Sequence, residues 1–332
     1  MSPGPPTPND APTFKDLQQA AEWFAVLQAE SASDADRRGW QRWLATGPPQ
    51  QAAWNRVESI AGDLAGLAGL PARHALDACS PPARRRRDAL RALGILPVAG
   101  LACWMGARHL PLRSWMAAHR TDTGEQKTFV LADGSKVWLN TASSADVDYS
   151  DTLRRIVLHR GEVVISSGHD DVQPARPLVV DVPQGRIKAL GTRFAVRHEA
   201  ETVRVAVFEG AVEIQPESGG ALHTLRAGEQ AWLRRDGVEV PLSEPRYGAD
   251  WLRGTLVADG MRLGDFIAEL GRYRAGYLAC APEVADLRIV GAYPLADTDR
   301  VLAALQATLP VRVRQTLPWW TVVEAKPVSR HD

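Results

Sequence analysis

The side chains that could carry out chemistry are scattered over the second half of the chain. Ser166 and Ser167 precede His169, but no Gly-x-Ser-x-Gly nucleophile elbow occurs. The histidines of this half are His159, His169, His198 and His223. Neither they nor the three cysteines of the chain have the paired spacing of a metal site. We therefore expect a protein that is not an enzyme in the usual sense, with no metal and no cofactor.

One dipeptide, Gly191-Thr192, combines a flexible glycine with a neighbour that carries a hydroxyl group. Gly191 allows a strained backbone and a close approach, and Thr192 brings a hydroxyl nucleophile. The pair lies in the segment ALGTRFAV, between two predicted strands. The alternative is a glycine turn followed by a threonine that merely favours β structure.

Tryptophans are concentrated in the first 60 residues, where the apolar spacing predicts three short helices. Thr13 with Asp16, and Ser33 with Asp36, have the spacing of helix N-caps. The tryptophans of this segment are Trp23, Trp40, Trp43 and Trp54. They can form the core of a small bundle or remain partly exposed until a partner covers them.

The net charge of this N-terminal segment indicates what kind of partner it can bind. Residues 1–80 contain six Lys or Arg against nine Asp or Glu, a net charge of minus three. The whole chain of 332 residues has zero net charge, so no basic field attracts nucleic acid. We expect no direct nucleic-acid binding, and an acidic bundle can accept a basic protein partner.

Residues 90–112 read as a membrane span. The fifteen uncharged residues 93–107 give about 22 Å of helix, less than the roughly 30 Å of a hydrocarbon core. Arg91 and Arg108 can close the gap with their aliphatic stems, and Trp104 suits the membrane interface. The alternative is a buried core helix of a soluble domain.

Four consecutive arginines precede this stretch: Arg84, Arg85, Arg86 and Arg87. Because arginines flanking a span are retained on the cytoplasmic side, residues 1–83 should be cytoplasmic and the rest should lie outside. With Trp104, these four residues form the predicted membrane anchor.

Beyond the span, the apolar period changes from helical to two. A hairpin at 129–140 turns at Asp133-Gly134, and further short strands continue to about residue 240. This predicts an antiparallel sandwich or roll without fixing the strand order. After Pro245 the pattern becomes βαββαββ.

The predicted fold class is therefore multidomain, with four parts of different structure. They are a helical bundle with a tail and tether (1–83), a basic flank with one transmembrane helix (84–112), an all-β sandwich or roll (120–245) and an α+β module (246–326).

Several segments, in order and spacing, resemble FecR-type sigma-factor regulators. In the β region these are FVLADGSKVWLN, LHRGEVVISSGHDD, ALGTRFAV and VRVAVFEGAVEI. The N-terminal AEWFAVLQAE and GWQRWLATG resemble that family's cytoplasmic anti-sigma domain. LVADGMRLGDFIAELGRYR resembles its C-terminal secretin/TonB N-terminal short domain.

The resemblance implies an inner-membrane regulator in a Gram-negative bacterium. Its bundle would bind an extracytoplasmic-function sigma factor, through a face for which we predict Trp40, Trp43 and Trp54. Its periplasmic part would receive a signal from a TonB-dependent outer-membrane receptor, controlling iron, siderophore or haem uptake genes.

The resemblance also implies one covalent step. In some FecR-like proteins the chain cuts itself between the matching glycine and threonine, here Gly191 and Thr192. This would be a single-turnover N-to-O acyl shift followed by hydrolysis of the ester.

An envelope scaffold, or a secretion-associated periplasmic binding protein anchored by one helix, remains the alternative function. The tryptophan-rich bundle favours the regulator, because a scaffold has no evident need for it.

Overall fold

A computed structural model of the chain describes residues 11–29, 32–67, 117–199, 201–240 and 248–327. The chain divides into two compact units, one formed by residues 1–71 with 253–332 and the other by residues 72–252. The predicted span, the four arginines and Trp104 lie outside the described residues. Within the described ranges, no helix has the length and apolar character needed to cross a membrane.

Three helices form the N-terminal part, as the sequence predicted. They are α1 (Phe14–Gln28), α2 (Asp34–Leu44) and α3 (Pro48–Leu67). Both predicted N-caps are confirmed as full capping boxes, in which Thr13 bonds with Asp16 and Ser33 with Asp36. Each box satisfies backbone N–H groups that the first helical turn leaves without partners.

The described residues of the second unit form fourteen strands. They are β1 (His119–Arg120), β2 (Lys127–Val130), β3 (Lys136–Leu139), β4 (Ser144–Tyr149), β5 (Arg154–Arg160), β6 (Glu162–Ser166), β7 (Leu178–Val182), β8 (Gly185–Ala189), β9 (Arg193–His198), β10 (Val203–Glu209), β11 (Ala211–Pro216), β12 (His223–Arg226), β13 (Gln230–Leu233) and β14 (Val238–Glu239). We call this unit's described part, residues 117–240, the β domain.

The β domain consists of two seven-stranded sheets around one apolar core. The strand orders are β1-β4-β5-β7-β8-β11-β12 and β14-β13-β10-β9-β6-β3-β2. Side chains from both sheets meet in the core, among them Ile156 and Ile214 of the first sheet and Phe194 and Val205 of the second.

One pair of strands departs from the predicted antiparallel arrangement. β5 and β7 are neighbours in the first sheet and run parallel. The reason lies in the connection, because the intervening β6 belongs to the other sheet and the chain returns in its original direction. The prediction of an antiparallel domain is therefore correct for most strand pairs and wrong for this one.

The described residues of the C-terminal part of the first unit include five strands and two α-helices. They are β15 (Thr255–Arg262), α4 (Leu263–Leu270), β16 (Tyr277–Cys280), β17 (Arg288–Pro294), α5 (Thr298–Thr308), β18 (Val311–Leu317) and β19 (Trp320–Ala325). The strands form two separate sheets, β15-β17 and β16-β19-β18, rather than one. In the three-stranded sheet, β16 and β19 are parallel.

The helices and the three-stranded sheet share an apolar cluster within the first unit. The rings of Phe24 and Trp319 lie 5.7 Å apart in an edge-on arrangement, and Arg314 is 3.0 Å from Glu22. The arrangement predicted from the sequence puts these two parts on opposite sides of a membrane. In a single chain, this contact and an inserted span therefore exclude each other.

Candidate functional site

The Gly191-Thr192 pair lies in the short connection between β8 and β9, as the sequence predicted. Gly191 is exposed and has a φ of +80°, in the left-handed region that favours glycine. The preceding residue is held by a hydrogen bond from the Leu190 N–H to the carbonyl of Ala211. The carbonyl side of the peptide bond is therefore in an exposed turn.

Thr192 is buried, with only 6% of its surface exposed. Its hydroxyl donates a 2.5 Å hydrogen bond to the carbonyl of Glu209. Its main-chain N–H donates to the hydroxyl oxygen of Ser167 at 2.8 Å, and its carbonyl accepts from the Ser167 N–H at 3.0 Å. The nucleophile and the nitrogen of the same peptide bond are thus both fixed by neighbouring strands.

Gly210 lies directly against this peptide bond. A Cβ at position 210 would be 2.1 Å from the carbonyl oxygen of Gly191 and 3.1 Å from the Cα of Thr192. Gly210 also has a φ of +73°. Only a residue without a side chain fits here, because the approaching atoms are backbone atoms that cannot rotate away.

Ser167 is held in turn by a buried polar group at the end of the sandwich. The neighbouring Gly168 donates its N–H to the Ser135 hydroxyl at 2.8 Å, and its carbonyl accepts from Arg154 at 3.2 Å. Ser135 donates its hydroxyl to Asp133 at 2.7 Å. These bonds restrict the segment that carries Ser167.

Asp133 is the ionised centre of that group. Burial alone raises its pKa, but hydrogen bonds from Ser135, Arg154 and Tyr149 outweigh this effect and hold the pKa below its ordinary value. The same carboxylate contributes to a raised pKa of the Tyr149 hydroxyl, for which burial is the larger cause. Asp133 therefore stays charged at neutral pH and keeps its donors in place.

The arrangement around Gly191 has the components of an N-to-O acyl shift. The hydroxyl oxygen of Thr192 can attack the Gly191 carbonyl carbon, and the proton passes from that oxygen to the Thr192 nitrogen as the C–N bond breaks. Water can then hydrolyse the ester, since Gly191 is exposed. The threonine hydroxyl and the permissive glycine were predicted from the sequence, whereas the contacts of Ser167, Glu209 and Gly210 were not.

The three tryptophans predicted to bind a partner lie in one apolar cluster of the first unit. Trp54 is 9% exposed, and its ring centroid is 5.0 Å from that of Trp40. The Trp43 indole N–H donates to Gln19 at 3.0 Å. The Trp40 indole N–H is buried and has no acceptor among the described residues.

The histidines have ordinary surroundings. His159 is 2.7 Å from the carboxylate of Asp146, and burial lowers the pKa of His198. Among the residues that the structure describes, no group of three or more His, Cys, Asp or Glu side chains could hold a metal ion.

Comparisons with known proteins match two parts of the chain. Residues 117–213 match the family model described as FecR protein. Residues 18–60 match the model of a domain of unknown function, DUF4880. No curated protein matches the chain.

Two crystal structures of a candidate anti-sigma factor from Parabacteroides distasonis resemble the chain in shape. The structure at 2.50 Å resolution has 23% sequence identity and a TM-score of 0.49, covering 63% of this chain and 98% of its own. The structure at 1.65 Å has 24% identity and a TM-score of 0.49, covering 62% and 97%.

Proposed function

We propose that the chain is a FecR-type anti-sigma regulator and that its N-terminal bundle binds an extracytoplasmic-function sigma factor in the cytoplasm. Residues 84–112 would anchor the chain in the inner membrane, with Arg84–Arg87 on the cytoplasmic side. The β domain and the C-terminal module would then be periplasmic.

The observation that carries this proposal is the aromatic face of the bundle. Trp40 and Trp54 pack on each other, and Phe24 next to Trp54 reaches Trp319 from another part of the chain. The bundle therefore buries this face by contact with an element outside itself. A face of this kind suits a protein partner, because aromatic side chains contribute much of the binding free energy of interfaces.

The indole N–H of Trp40 also favours a protein partner, because it is a hydrogen-bond donor in need of an acceptor. It is buried without an acceptor among the described residues, which costs about 1–3 kcal/mol. A sigma factor that covers the same face can supply a carbonyl or carboxylate to this donor. In the proposed membrane arrangement, the bundle and Trp319 are on opposite sides, so the face is free for the sigma factor.

The periplasmic part would receive the signal. We propose that the C-terminal module contacts the signalling domain of a TonB-dependent outer-membrane receptor, and that the regulated genes serve iron, siderophore or haem uptake. The support is the resemblance of LVADGMRLGDFIAELGRYR to the secretin/TonB N-terminal short domain.

Co-purification of the full chain with candidate sigma factors tests the cytoplasmic partner. We expect to recover one sigma factor with the unaltered chain. This binding should be lost with Trp40→Ala and retained with Trp232→Ala. Trp232 is a matched control because it lies in β13 of the β domain. Failure to recover a sigma factor with a folded chain would contradict the proposal and favour the envelope scaffold.

We also propose that the chain cuts itself once between Gly191 and Thr192. The supporting observation is the buried Thr192 hydroxyl beside an exposed glycine with a φ of +80°. The products would be a Gly191 carboxylate and a free Thr192 amine, with one water consumed.

A denaturing gel of the purified chain tests this cleavage. We expect two fragments whose masses correspond to a break after Gly191, a single uncut band with Thr192→Ala, and two fragments again with Thr192→Ser. Two fragments from the Thr192→Ala chain would mean that another protease or another bond is responsible.

A further inference from the structure

We propose that the Ser167 side chain is part of the cleavage machinery. Its hydroxyl oxygen holds the Thr192 nitrogen and stabilises the positive charge that this nitrogen gains as the peptide bond breaks. This inference rests on the proposed cleavage at Gly191-Thr192, and it assigns a function to a residue 25 positions away in the sequence.

Ser167 contacts Thr192 in two separable ways. The Ser167 N–H donates to the Thr192 carbonyl at 3.0 Å, a bond that any residue except proline can make. The Ser167 hydroxyl oxygen accepts from the Thr192 N–H at 2.8 Å, and only the side chain provides this bond. Removing the hydroxyl therefore leaves the main-chain contact of the strands in place.

The side-chain bond matters because of how the charge moves. When Thr192 Oγ1 adds to the Gly191 carbonyl carbon, the hydroxyl proton must reach the Thr192 nitrogen before the C–N bond can break. The nitrogen is then tetrahedral and positively charged, and its N–H groups become stronger donors. A hydrogen bond to Ser167 Oγ is stronger to this charged nitrogen than to the neutral amide, so it lowers the barrier.

The hydroxyl oxygen is held in place before the reaction. Gly168 is fixed through both its N–H and its carbonyl, to Ser135 and Arg154. A Cβ at Gly168 would lie 2.3 Å from the carbonyl oxygen of Asp133, so this segment fits closely against the turn after β2. A preorganised acceptor of this kind spends no free energy on reorientation during the reaction.

Gly210 makes the second contribution, by leaving space for the reacting carbonyl. A methyl group at this position would collide with the Gly191 carbonyl oxygen and shift the peptide bond that the Thr192 hydroxyl attacks. Gly210→Ala should therefore also block cleavage, but its positive φ adds a folding cost. Ser167 is the better position for a test.

The experiment follows fragment formation over time in the full chain, made by cell-free synthesis with a labelled amino acid. The variants are Ser167→Ala, Ser167→Thr and, as matched control, Ser166→Ala, which removes the neighbouring hydroxyl. We expect Ser167→Ala to slow cleavage roughly 10- to 100-fold. Ser167→Thr should restore most of the rate, and Ser166→Ala should cleave like the unaltered chain.

A second readout separates the two chemical steps. Hydroxylamine cleaves esters but leaves amides intact, so it releases fragments from any chain that has reached the ester. With Ser167→Ala we expect it to release no additional fragments, because the variant is slow in forming the ester. The variant should remain folded, with a thermal unfolding midpoint lowered by only a few degrees, because it loses the acceptor of one buried N–H group.

Three results would overturn the inference or its premise. Cleavage of Ser167→Ala at the unaltered rate would remove Ser167 from the machinery while leaving the cleavage proposal intact. Full release by hydroxylamine would mean that the residue acts on hydrolysis instead. An unaltered chain that stays uncut, like Thr192→Ala, would refute the cleavage itself and with it the assignment of Ser167.

Discussion

The guanidinium of Arg154 lies 2.5 Å from the carboxylate of Asp133, and the two side chains are only 9% and 1% exposed. Arg154 begins β5 in the first sheet, whereas Asp133 is in the turn between β2 and β3 of the second sheet. The ion pair therefore connects the two sheets of the β domain at one end.

Removing the carboxylate should destabilise the chain strongly. Asp133→Ala leaves the Arg154 charge buried without its counter-ion, and we expect a loss of about 3–5 kcal/mol in the free energy of unfolding. Urea unfolding of the β domain within the full chain measures this. Asp148→Ala is the matched control, because its ion pair with Arg155 is exposed and should contribute about 0–1 kcal/mol. Equal losses in the two variants would contradict the prediction.

Stability should fall in acid because of two carboxylates. Hydrogen bonds outweigh burial and hold the pKa of Asp133 below its ordinary value, and hydrogen bonds from Arg176 do the same for Asp170. A folded-state pKa below the unfolded one gives stability that is complete above the unfolded value, about pH 4. This stability is lost as the pH falls through the folded values.

The measurement is the free energy of unfolding between pH 6 and pH 2. The unaltered chain should lose stability steeply below about pH 4, and a chain with both Asp133→Ala and Asp170→Ala should show a shallower decline. Parallel curves for the two proteins would rule out these carboxylates as the cause.

The capping box of α2 should determine how firmly its first turn is formed. Ser33 accepts from the Asp36 N–H and donates its hydroxyl to the Asp36 carboxylate at 2.6 Å. Ser33→Ala should cost about 1 kcal/mol, seen as faster amide hydrogen exchange in α2 of the full chain. Ser33→Asp keeps a capping oxygen, so the amide hydrogens of α2 should exchange almost as slowly as in the unaltered chain. Equally fast amide exchange in both variants would contradict a stabilising role of the cap.

The contact between Glu22 and Arg314 gives a test of membrane topology. With the native cysteines replaced, Glu22→Cys and Arg314→Cys should not be joined by a short bis-maleimide in membrane vesicles, because we place them on opposite sides. They should be joined in the chain extracted into detergent, where the two parts can meet.

Arg312→Cys with Glu324→Cys is the matched control for this experiment. This pair lies within one sheet of the C-terminal module and should crosslink in both preparations. Crosslinking of positions 22 and 314 in intact vesicles would contradict the proposed topology.

The parts of the fold that the sequence predicted are those determined by neighbours along the chain. Thr13 with Asp16 and Ser33 with Asp36 are three residues apart, so the helix starts could be identified from spacing. The turn at Gly134 likewise depends on a local backbone preference, and this glycine has a positive φ.

Strand order depends on contacts between distant residues and could not be predicted in this way. The parallel pairing of β5 with β7 follows from the position of β6 in the other sheet, which no local pattern records. The candidate site follows the same rule. Gly191 and Thr192 were predicted from the resemblance of their segment to FecR-like proteins, whereas Ser167 reaches them only through the pairing of β6 with β9.

The order of strands has a consequence for a chain cut after Gly191. The piece before the break contributes β8 and β6, and the piece after it contributes β11 and β9; β8 pairs with β11 in one sheet and β6 with β9 in the other. Each sheet would therefore contain strands of both pieces, joined along one ladder, and the two pieces would stay together as one nicked body. To pull the second piece away, a force would have to shear both ladders of hydrogen bonds, so a severed backbone here can still transmit tension.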